Sequence, residues 1–311
     1  MTEAATREAY GRTLVEMGKA NRDIVVLDAD LAKSTMTIYF AREFPDRFFD
    51  CGLAEQNMIG IAAGFAASGK IPFASTFAVF ASSRCFDQVR MSLGQQHLNI
   101  KVVATHSGVS VGEDGASHQA IEDLALYCSL PGVNVIVPAD AIQTAAAVRY
   151  AANTEGPFYI RLNRPKLPII YESDYKFNFG KGETLRDGND ITVIATGIMV
   201  ARALEAADNL EKSNIHCRVI NMHTLKPIDE DAVIRAARET EAIITAEEHL
   251  LHGGLGSMVA QIVCRESPVR MAFIGINDKY TKSGKPEELL TRNGLTSQNI
   301  EKTVLSMVAK K

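Results

Sequence analysis

The sequence predicts an α/β protein of two domains, each with a largely parallel sheet covered by helices on both faces. Three observations predict this fold class. Short runs rich in β-branched residues alternate with amphipathic helical patterns. The alternation stops over residues 165–190, where proline, glycine and charged residues concentrate, and it then resumes. The length of 311 residues also suits two domains.

The interruption sets the predicted domain boundaries. We assign residues 1–170 to the first domain, 171–190 to a linker and 191–311 to a second, smaller domain. Ligands of open α/β sheets bind outside the carboxyl ends of the strands. The loops that follow the predicted strands are therefore the places to look for a site.

The first domain is predicted from β-branched runs and the helical patterns between them. The runs predict strands over residues 23–31, 71–77, 100–108, 133–140 and 158–164. The amphipathic patterns predict helices over residues 6–20, 82–95 and 141–153. A further helix is expected over residues 54–67, after a turn at Gly52.

The second domain repeats the alternation. Its predicted strands cover residues 191–197, 217–222, 241–248 and 269–276. Its predicted helices cover residues 201–213, 229–241 and 255–267. The two halves of the chain are thus expected to share one architecture.

The composition argues against several classes of function. The formal net charge is −4 with both signs interspersed, so neither a nucleic acid nor a membrane is predicted as a partner. The five cysteines are scattered without a CxxC pair, which fits a reducing cytoplasm and indicates neither a disulfide framework nor a zinc site. The N-terminus lacks an apolar signal core, and the apolar run over residues 58–67 is too short to cross a bilayer. We expect a cytoplasmic protein that acts on small molecules.

Glu55 stands at the start of the predicted helix over residues 54–67. Small residues give that helix a smooth face for a second backbone: Gly60, Ala63, Gly64 and Ala67. A lone glutamate in this place more often complements the positive end of a helix dipole at a solvated terminus. If the helix start is covered instead, the desolvated carboxyl prefers its neutral form. We expect Glu55 to become buried only when another chain has docked on this helix.

Phe77 and Phe80 follow the strand that begins at residue 71 and are expected to share a face of the next helix's first turn. Two rings there form a flat slot that suits a heteroaromatic ligand. Two phenylalanines at helical spacing are more often ordinary core residues. The charged residues that follow are expected to form a polar face with internal pairing: Arg84, Asp87 and Arg90.

The segment over residues 105–125 is the most informative. Four titratable residues crowd a glycine-rich loop between a strand and a helix: His106, Glu113, Asp114 and His118. Such a loop favours a substrate-binding mouth. The alternative, a surface loop in which Ser117 caps a helix, leaves both histidines unexplained. The spacing of the histidines does not match a metal motif.

Two arginines leave the last predicted strand of the first domain. Planar guanidinium groups suit bidentate capture of a phosphate, and Arg164 is the stronger candidate because it lies further into the loop. Arg161 suits a neighbouring carboxylate equally well. In the second domain, residues 247–257 (EEHLLHGGLGS) resemble a glycine-rich turn that binds an anion at a helix start, although a full GxGxxG is absent. We assign no metal to His249 or His252.

These motifs resemble a known family. The segments CGLAEQNMIGIAAG, TFAVF, GEDGASHQAIEDLA and SLPGVNVIVPAD resemble the pyrimidine-binding domain of transketolase. The segments LKPID, EEHLLHGGLGS and SGKPEELL resemble the C-terminal domain of that family. The GEDGASHQ block separates the chain from the beta subunits of 2-oxoacid dehydrogenases and, more weakly, from deoxyxylulose-phosphate synthase. The resemblance covers essentially the whole chain and implies a place in the pentose phosphate pathway.

The resemblance implies a thiamine diphosphate site. Glu55 would contact a ring nitrogen of the cofactor's aminopyrimidine, and Phe77 and Phe80 would line the ring pocket. A carboxylic acid against that nitrogen lets the exocyclic amine act as an intramolecular base for the carbon-bound proton of the thiazolium. Ser83 stands where transketolases often have another aromatic residue, which thins the pocket.

The resemblance also implies roles in binding a sugar phosphate. Asp114 would read a sugar hydroxyl, and His106, with Glu55 the second residue assigned to catalysis, would lie near the reacting centre. Four further residues would bind substrate hydroxyl or phosphate groups: Arg7, Ser34, His118 and Arg164. Asp30 matches a position that touches the neighbouring chain.

One expected motif is absent from the sequence. Family members hold the cofactor diphosphate through a divalent metal with a GDG motif and a downstream asparagine, and this chain has no GDG. The chain also begins almost directly at the pyrimidine-binding segment. We therefore expect one subunit of a split enzyme, with no metal ligands of its own. An N-terminal subunit would supply the diphosphate site and its Mg²⁺ or Ca²⁺, and two such pairs would form a heterotetramer.

Three functions stay open at this point. The leading one is transfer of a two-carbon ketol unit from a ketose phosphate to an aldose phosphate. The second is a synthase-like condensation of pyruvate with glyceraldehyde phosphate. The third is a non-catalytic subunit that retains the fold. A nicotinamide-binding protein is the weakest alternative, because no GxGxxG follows the first strand.

Overall fold

The structure is a computed structural model that describes residues 2–308. Its strands are β1 (Glu3–Ala5), β2 (Ile24–Asp28), β3 (Phe48–Asp50), β4 (Ile71–Phe77), β5 (Lys101–Thr105), β6 (Asn134–Ile136), β7 (Phe158–Arg161), β8 (Lys166–Pro168), β9 (Glu183–Arg186), β10 (Ile191–Ala195), β11 (Cys217–Asn221), β12 (Thr224–Lys226), β13 (Ala242–Leu250) and β14 (Arg270–Ile276). Its α-helices are α1 (Thr6–Ala20), α2 (Ala32–Thr35), α3 (Ile38–Glu43), α4 (Glu55–Ala67), α5 (Phe86–Val89), α6 (Asp123–Ser129), α7 (Ala141–Ala152), α8 (Met199–Glu211), α9 (Glu230–Glu239), α10 (Leu255–Glu266), α11 (Pro286–Arg292) and α12 (Ser297–Val308). Short 3₁₀ turns cover Pro45–Arg47, Val109–Asp114 and Ala116–His118.

The first sheet has the strand order β12-β6-β7-β5-β4-β2-β3. Every pairing in it is parallel except that of β12 with β6. Its two faces are both covered, because alternate residues of a strand point to opposite sides. Ile24 and Val26 of β2 pack in a cluster with α1 and α7, whereas Val25 and Leu27 pack in a cluster with α4.

The second sheet has the order β14-β13-β10-β11-β9, parallel apart from β9. β9 arises from the segment over residues 171–190 and pairs with β11. β12 follows β11 in the chain but returns to the first sheet, where it pairs with β6. The predicted fold class, two α/β domains with largely parallel sheets covered by helices, is confirmed.

The predicted helix over residues 82–95 is wrong as a continuous element. The chain there forms a π turn over Phe80–Arg84, the short helix α5 and a second π turn over Arg90–Gln95. Side chains compete with the backbone for helical carbonyls at this point. The Ser82 hydroxyl donates to the Ala78 carbonyl at 2.8 Å, and the Cys85 thiol lies 3.2 Å from the Ala81 carbonyl. Such π turns are frequent at functional sites.

Other elements were predicted closely. The helix over 6–20 and the strand over 71–77 have the predicted bounds, and α4 begins one residue later than predicted. Across residues 2–308, no helix is both long enough and apolar enough to pass through a lipid bilayer.

Candidate active site

The carboxyl edge of the first sheet gathers most of the predicted site residues. Parallel strands end at the same edge, so the segments that leave β2, β4, β5 and β7 come together there. Phe77 is the last residue of β4, and the segments after β2, β5 and β7 carry Ser34, His106 and Arg164, respectively. α4 begins beside them and carries Glu55 in its first turn.

Glu55 is fully buried within the single chain. Its Oε1 accepts a hydrogen bond from Nη1 of Arg84 at 2.8 Å, and its Oε2 has no hydrogen-bond partner. The expectation that Glu55 becomes buried only after another chain docks is therefore wrong. The expectation that Arg84 pairs within its own polar face is wrong as well, because Arg84 leaves the π turn to cover Glu55.

The helix behind Glu55 divides into a buried and an open side. Met58, Ile59 and Ala62 pack in the core. Gly60 and Gly64 face open space, with no atom within 4 Å of where a side chain would begin. Glu55 is thus buried by this chain itself, while the small residues form an exposed smooth face.

The two predicted aromatic residues form a ring stack. The rings of Phe77 and Phe80 lie 5.9 Å apart at an interplanar angle of 12°. Phe77 is the last residue of β4 rather than part of a helix, and Phe80 begins the π turn. The Arg84 guanidinium lies 4.1 Å from the centre of the Phe80 ring, so one side chain links the rings to Glu55.

Both predicted histidines contact these rings. The His106 ring stacks on Phe77 at 3.9 Å, and the His118 ring meets Phe80 edge-on at 5.3 Å. His106 is buried, and its Nδ1 lies 2.8 Å from the Thr105 hydroxyl. The rings therefore form one wall shared by the Glu55 region and the loop that carries the histidines.

His106 is held in its neutral form. Burial, together with the positive charges of Arg7 and Arg164 and with His118, lowers the pKa of His106 to about 3. A neutral imidazole at this position offers one nitrogen as a donor and one as an acceptor. It is thus suited to hydrogen bonding with a hydroxyl or carbonyl.

Arg7 and Arg164 form a cationic cluster beside His106. Nη1 of Arg7 donates to the Ser34 carbonyl at 2.8 Å, whereas the buried Nε of Arg7 has no partner. Burial, and next the charge of Arg164, lower the pKa of Arg7. An anion between these guanidinium groups would relieve their repulsion and satisfy the free N–H.

The acidic residues of the loop lie against Arg164. Nη1 of Arg164 donates to the Val111 carbonyl at 2.5 Å and lies 3.6 Å from Oδ2 of Asp114. Glu113 is also within reach, at 3.4 Å from Oε2. Ser117, a helix cap in the alternative interpretation of this loop, contacts His118, with 3.0 Å between Oγ and Nδ1. The structure thus brings Asp114, His118 and Arg164 together beside the loop that carries the histidines.

Asp28 supports the Ser34 segment and was missed by the sequence analysis. It is buried at the end of β2, and its carboxylate accepts hydrogen bonds from the hydroxyls of Thr35 and Thr37 at 2.7 and 2.8 Å. Burial raises the pKa of Asp28 to about 6. Asp30 itself is exposed, and its backbone N–H donates to Oδ1 of Asp50. An acidic residue that ends an apolar strand was the available signal for Asp28.

The comparisons with known proteins follow the same division into two domains. The model of the family Transketolase, pyrimidine binding domain matches residues 2–169, and that of Transketolase, C-terminal domain matches residues 180–300. The chain belongs to the transketolase family. The resemblance inferred from the sequence motifs is confirmed.

Relatives of this transketolase-family chain fall into two lengths. A protein of Methanocaldococcus jannaschii named as a transketolase C-terminal section is 45% identical over 98% of this chain and 96% of its own length. Human transketolase is 40% identical over 98% of this chain, which spans 49% of the human protein. A solved structure described as a split gene transketolase, inactive beta4 tetramer, has a TM-score of 0.91 and 50% identity, with 99% of both chains covered.

Two other predicted anion sites of the transketolase-family chain are filled by its own groups. Arg161 is buried and pairs with Asp123, with 2.7 Å between Nε and Oδ2, so it does not face a ligand. The glycine-rich turn before α10 is occupied by the carboxylate of Glu247, which accepts hydrogen bonds from the backbone N–H groups of Leu255 and Gly256, both at 2.8 Å. That turn is therefore a capped helix start.

The domain boundary carries polar residues that the sequence analysis did not single out. Glu248 of β13 reaches the backbone of Ser110 and the side chain of Asn163. Two glutamates in an otherwise apolar strand were the available signal. Among residues 2–308, no group of three or more His, Cys, Asp or Glu side chains is arranged to hold a metal ion.

Proposed function

We propose that this chain is the C-terminal subunit of a split, thiamine diphosphate-dependent transketolase. The observation that carries the proposal is the free oxygen of Glu55. A buried polar atom without a partner is rare in folded proteins and requires an explanation. Arg84 links Glu55 to the stacked ring pair, which suits the ring of a cofactor. The Phe77 ring stacks on His106, which lies beside the cationic cluster that suits the phosphate of a sugar.

The residues fit the aminopyrimidine end of thiamine diphosphate. Oε2 of Glu55 is a free buried carboxyl oxygen, and the rings of Phe77 and Phe80 provide an apolar surface for a heteroaromatic ring. The chain offers neither a GDG motif nor, within its described part, a cluster of metal ligands for the diphosphate end. The two ends of the cofactor would thus be held by different chains.

The side chains of this subunit would bind, orient and move protons. When bound, thiamine diphosphate supplies the nucleophilic carbon that accepts the two-carbon unit. Glu55 would hold a proton at the pyrimidine ring nitrogen, and His106, being neutral, would hydrogen bond the substrate near the reacting carbon. Arg7, Ser34 and Arg164 would hold the phosphate. Asp114 and His118 would orient the sugar hydroxyls.

The partner would be an N-terminal subunit with the diphosphate site and its Mg²⁺ or Ca²⁺. Two observations support this. The chain spans about half the length of the single-chain relatives, and the beta4 tetramer of a similar split gene transketolase is described as inactive. The open face of α4, with Gly60 and Gly64, is a surface that a second backbone can approach. Asp30 is exposed at the same sheet edge and would touch the neighbouring chain. Two pairs would assemble in the cytoplasm as a heterotetramer.

The substrates would be phosphorylated sugars. The free N–H of Arg7 and the adjacent Arg164 favour a dianionic group at the far end of the substrate. Asp114 favours a chain of hydroxyls between that group and the reacting carbon. Ketol transfer from a ketose phosphate to an aldose phosphate uses both features in donor and acceptor, whereas pyruvate offers neither hydroxyls nor a phosphate.

A reconstitution assay tests the proposal. This chain is mixed with the candidate partner, recognised by a GDG motif and a downstream asparagine, together with thiamine diphosphate and Mg²⁺. We expect ketol transfer from xylulose phosphate to ribose phosphate, and neither chain alone to be active. Turnover of pyruvate with glyceraldehyde phosphate instead would favour the synthase alternative. The non-catalytic alternative would be supported if the partner were equally active without this chain.

A further inference from the structure

Glu248 is a buried carboxylate that the proposed chemistry does not use. It lies on β13 of the second domain, and its side chain is 2% exposed. The pairing of β13 with β14 shifts register between Ala246 and Leu250, so the strand is irregular where it carries Glu248. Successive residues of a strand point to opposite sides, so neighbouring residues of β13 reach different surroundings. Glu247 turns to the start of α10, and Glu248 reaches into the first domain.

The carboxylate of Glu248 is fully engaged with the first domain. Oε1 accepts the backbone N–H of Ser110 at 2.6 Å, and Oε2 accepts Nδ2 of Asn163 at 2.9 Å. The Glu248 carbonyl accepts Nη2 of the buried Arg161 at 3.0 Å. These contacts join segments that are far apart in the chain, and hydrogen bonds to a charged acceptor are the strong ones.

The glycine-rich loop that carries His106 and Asp114 is shaped around the carboxylate of Glu248. Gly108 has a φ of +70°, and any Cβ on it would lie 2.1 to 2.5 Å from the carboxylate atoms of Glu248. Only glycine permits that approach. The Gly108 N–H donates to the Ala120 carbonyl at 2.8 Å, which closes the loop at its far end. The loop backbone therefore rests directly on Glu248.

The two contacts of Glu248 fix both sides of the proposed sugar-phosphate site. Ser110 lies in the loop between His106 and Asp114, and Asn163 directly precedes Arg164. Nη1 of Arg164 in turn donates to Val111, the residue after Ser110. One carboxylate from the second domain thus sets the distance between two segments that carry residues proposed to bind the substrate.

We propose that Glu248 is a positioning residue for substrate binding: it holds the loop of Ser110 and the strand end at Asn163 in the arrangement that the sugar phosphate requires. The inference rests on the proposed function and gives the second domain a role in it. Glu248 touches neither substrate nor cofactor. Its loss should weaken substrate binding more than it slows the chemistry, because Glu55 and the ring pair do not contact it.

Backbone amide exchange tests the anchoring without any activity. In Glu248→Gln, the side-chain NH2 group of the new glutamine faces the NH2 group of Asn163, and two donors cannot bond each other. The hydrogen bond to Asn163 is therefore lost. We expect exchange over residues 107–113 to rise by about tenfold, the equivalent of about 1.4 kcal/mol. The matched control is Glu247→Gln, which removes an adjacent buried carboxylate that caps α10. Unchanged exchange over residues 107–113 in Glu248→Gln would overturn the proposal.

Kinetics of the reconstituted complex test the positioning. We expect Glu248→Gln to raise the KM for xylulose phosphate about tenfold while kcat changes less than about twofold, and Glu247→Gln to leave both nearly unchanged. The double variant Glu248→Gln/Asn163→Asp restores a donor facing an acceptor, and it should recover most of the lost affinity. An unchanged KM, or a double variant no better than the single one, would overturn the proposal. An inactive wild-type complex would instead refute the proposed function, and amide exchange would still decide the anchoring.

Discussion

Two buried glutamates lie at helix starts: Glu55 is the first residue of α4, and Glu247 of β13 caps α10. They differ in how many of their carboxylate oxygens have hydrogen-bond partners. Both are at most 1% exposed. Glu247 accepts two backbone hydrogen bonds, one on each oxygen. Glu55 has one oxygen on the half-exposed Arg84 and one on nothing. Both carboxylates are buried, and they differ in that one oxygen of Glu55 lacks a partner, which calls for an explanation.

The glycines of the two helices differ in the same sense. A Cβ on Gly254 or Gly256 would lie within 3 Å of Glu247, Phe273 or Thr245 atoms. A Cβ on Gly60 or Gly64 would meet nothing. The glycines at α10 therefore serve close packing inside one chain, and those of α4 leave a surface free. The glycine face of α10 is packed within this chain, and that of α4 is open.

The largest expected effect separates the two glutamates by activity. In the reconstituted complex, Glu55→Gln should lower ketol transfer by about 10² to 10⁴-fold, because a positioned proton-transfer group contributes about that much. Glu247→Gln should retain activity within about threefold, since Glu247 only caps a helix. Steady-state assays with xylulose phosphate and ribose phosphate measure both. Equal losses of activity in the two variants would contradict a catalytic role that Glu55 has and Glu247 lacks.

The variant Arg164→Ala tests the cationic cluster that Arg7 and Arg164 form. Arg164→Ala should raise the KM for a ketose phosphate about tenfold to a hundredfold, because a charged hydrogen bond is lost. The control is a non-phosphorylated ketose, whose KM should change little. If both substrates lose affinity equally, Arg164 supports the loop rather than the phosphate.

The glycines allow a test by stability. Gly256→Ala should lower the free energy of unfolding by about 1 to 3 kcal/mol, since the new methyl group would lie 2.9 Å from both the Phe273 ring and the buried Thr245 hydroxyl. Gly64→Ala should raise it by about 0.5 to 1 kcal/mol, the gain in helix propensity at an open position. Urea unfolding of the chain measures both. A destabilised Gly64→Ala would show that the α4 face is packed in this chain.

A pH dependence of stability is expected at Glu247. Burial raises the pKa of Glu247 to about 7, although the N–H groups of Gly256 and Leu255 oppose the shift. The protonated form is therefore favoured by folding, and this contribution is present below the unfolded pKa and is lost as the pH rises through about 7. Between pH 6 and pH 8, the wild type should lose about 1 kcal/mol more stability than Glu247→Gln. Parallel stability curves would contradict the assignment.

Local sequence signals predicted the elements and the ring pair, because they depend on neighbouring residues. The helix over 6–20 and the strand over 71–77 follow from periodicity. Phe77 and Phe80 do lie in contact, although Phe77 ends a strand and does not share a helical turn with Phe80. The pairing of Arg84 with Glu55 was missed, since it joins residues 29 positions apart. It also depends on a π turn that the sequence pattern does not indicate.

The contacts of Glu248 were missed for a similar reason. They join residues 85 and 138 positions apart and depend on how the two domains pack. Periodicity identifies β13 but not that Glu248 on it packs against the first domain. The burial of Glu55 was misjudged because the turn that covers it comes from another part of the same chain.

The most direct test of the central claim is the exchange of the carbon-bound thiazolium proton of thiamine diphosphate in the reconstituted complex. Quenched-flow exchange in deuterated buffer measures it without any sugar substrate. We predict that Glu55→Gln slows this exchange by about 10²-fold or more, while Glu247→Gln matches the wild type. Exchange in Glu55→Gln as fast as in the wild type would contradict the assignment of the free Glu55 oxygen to the cofactor.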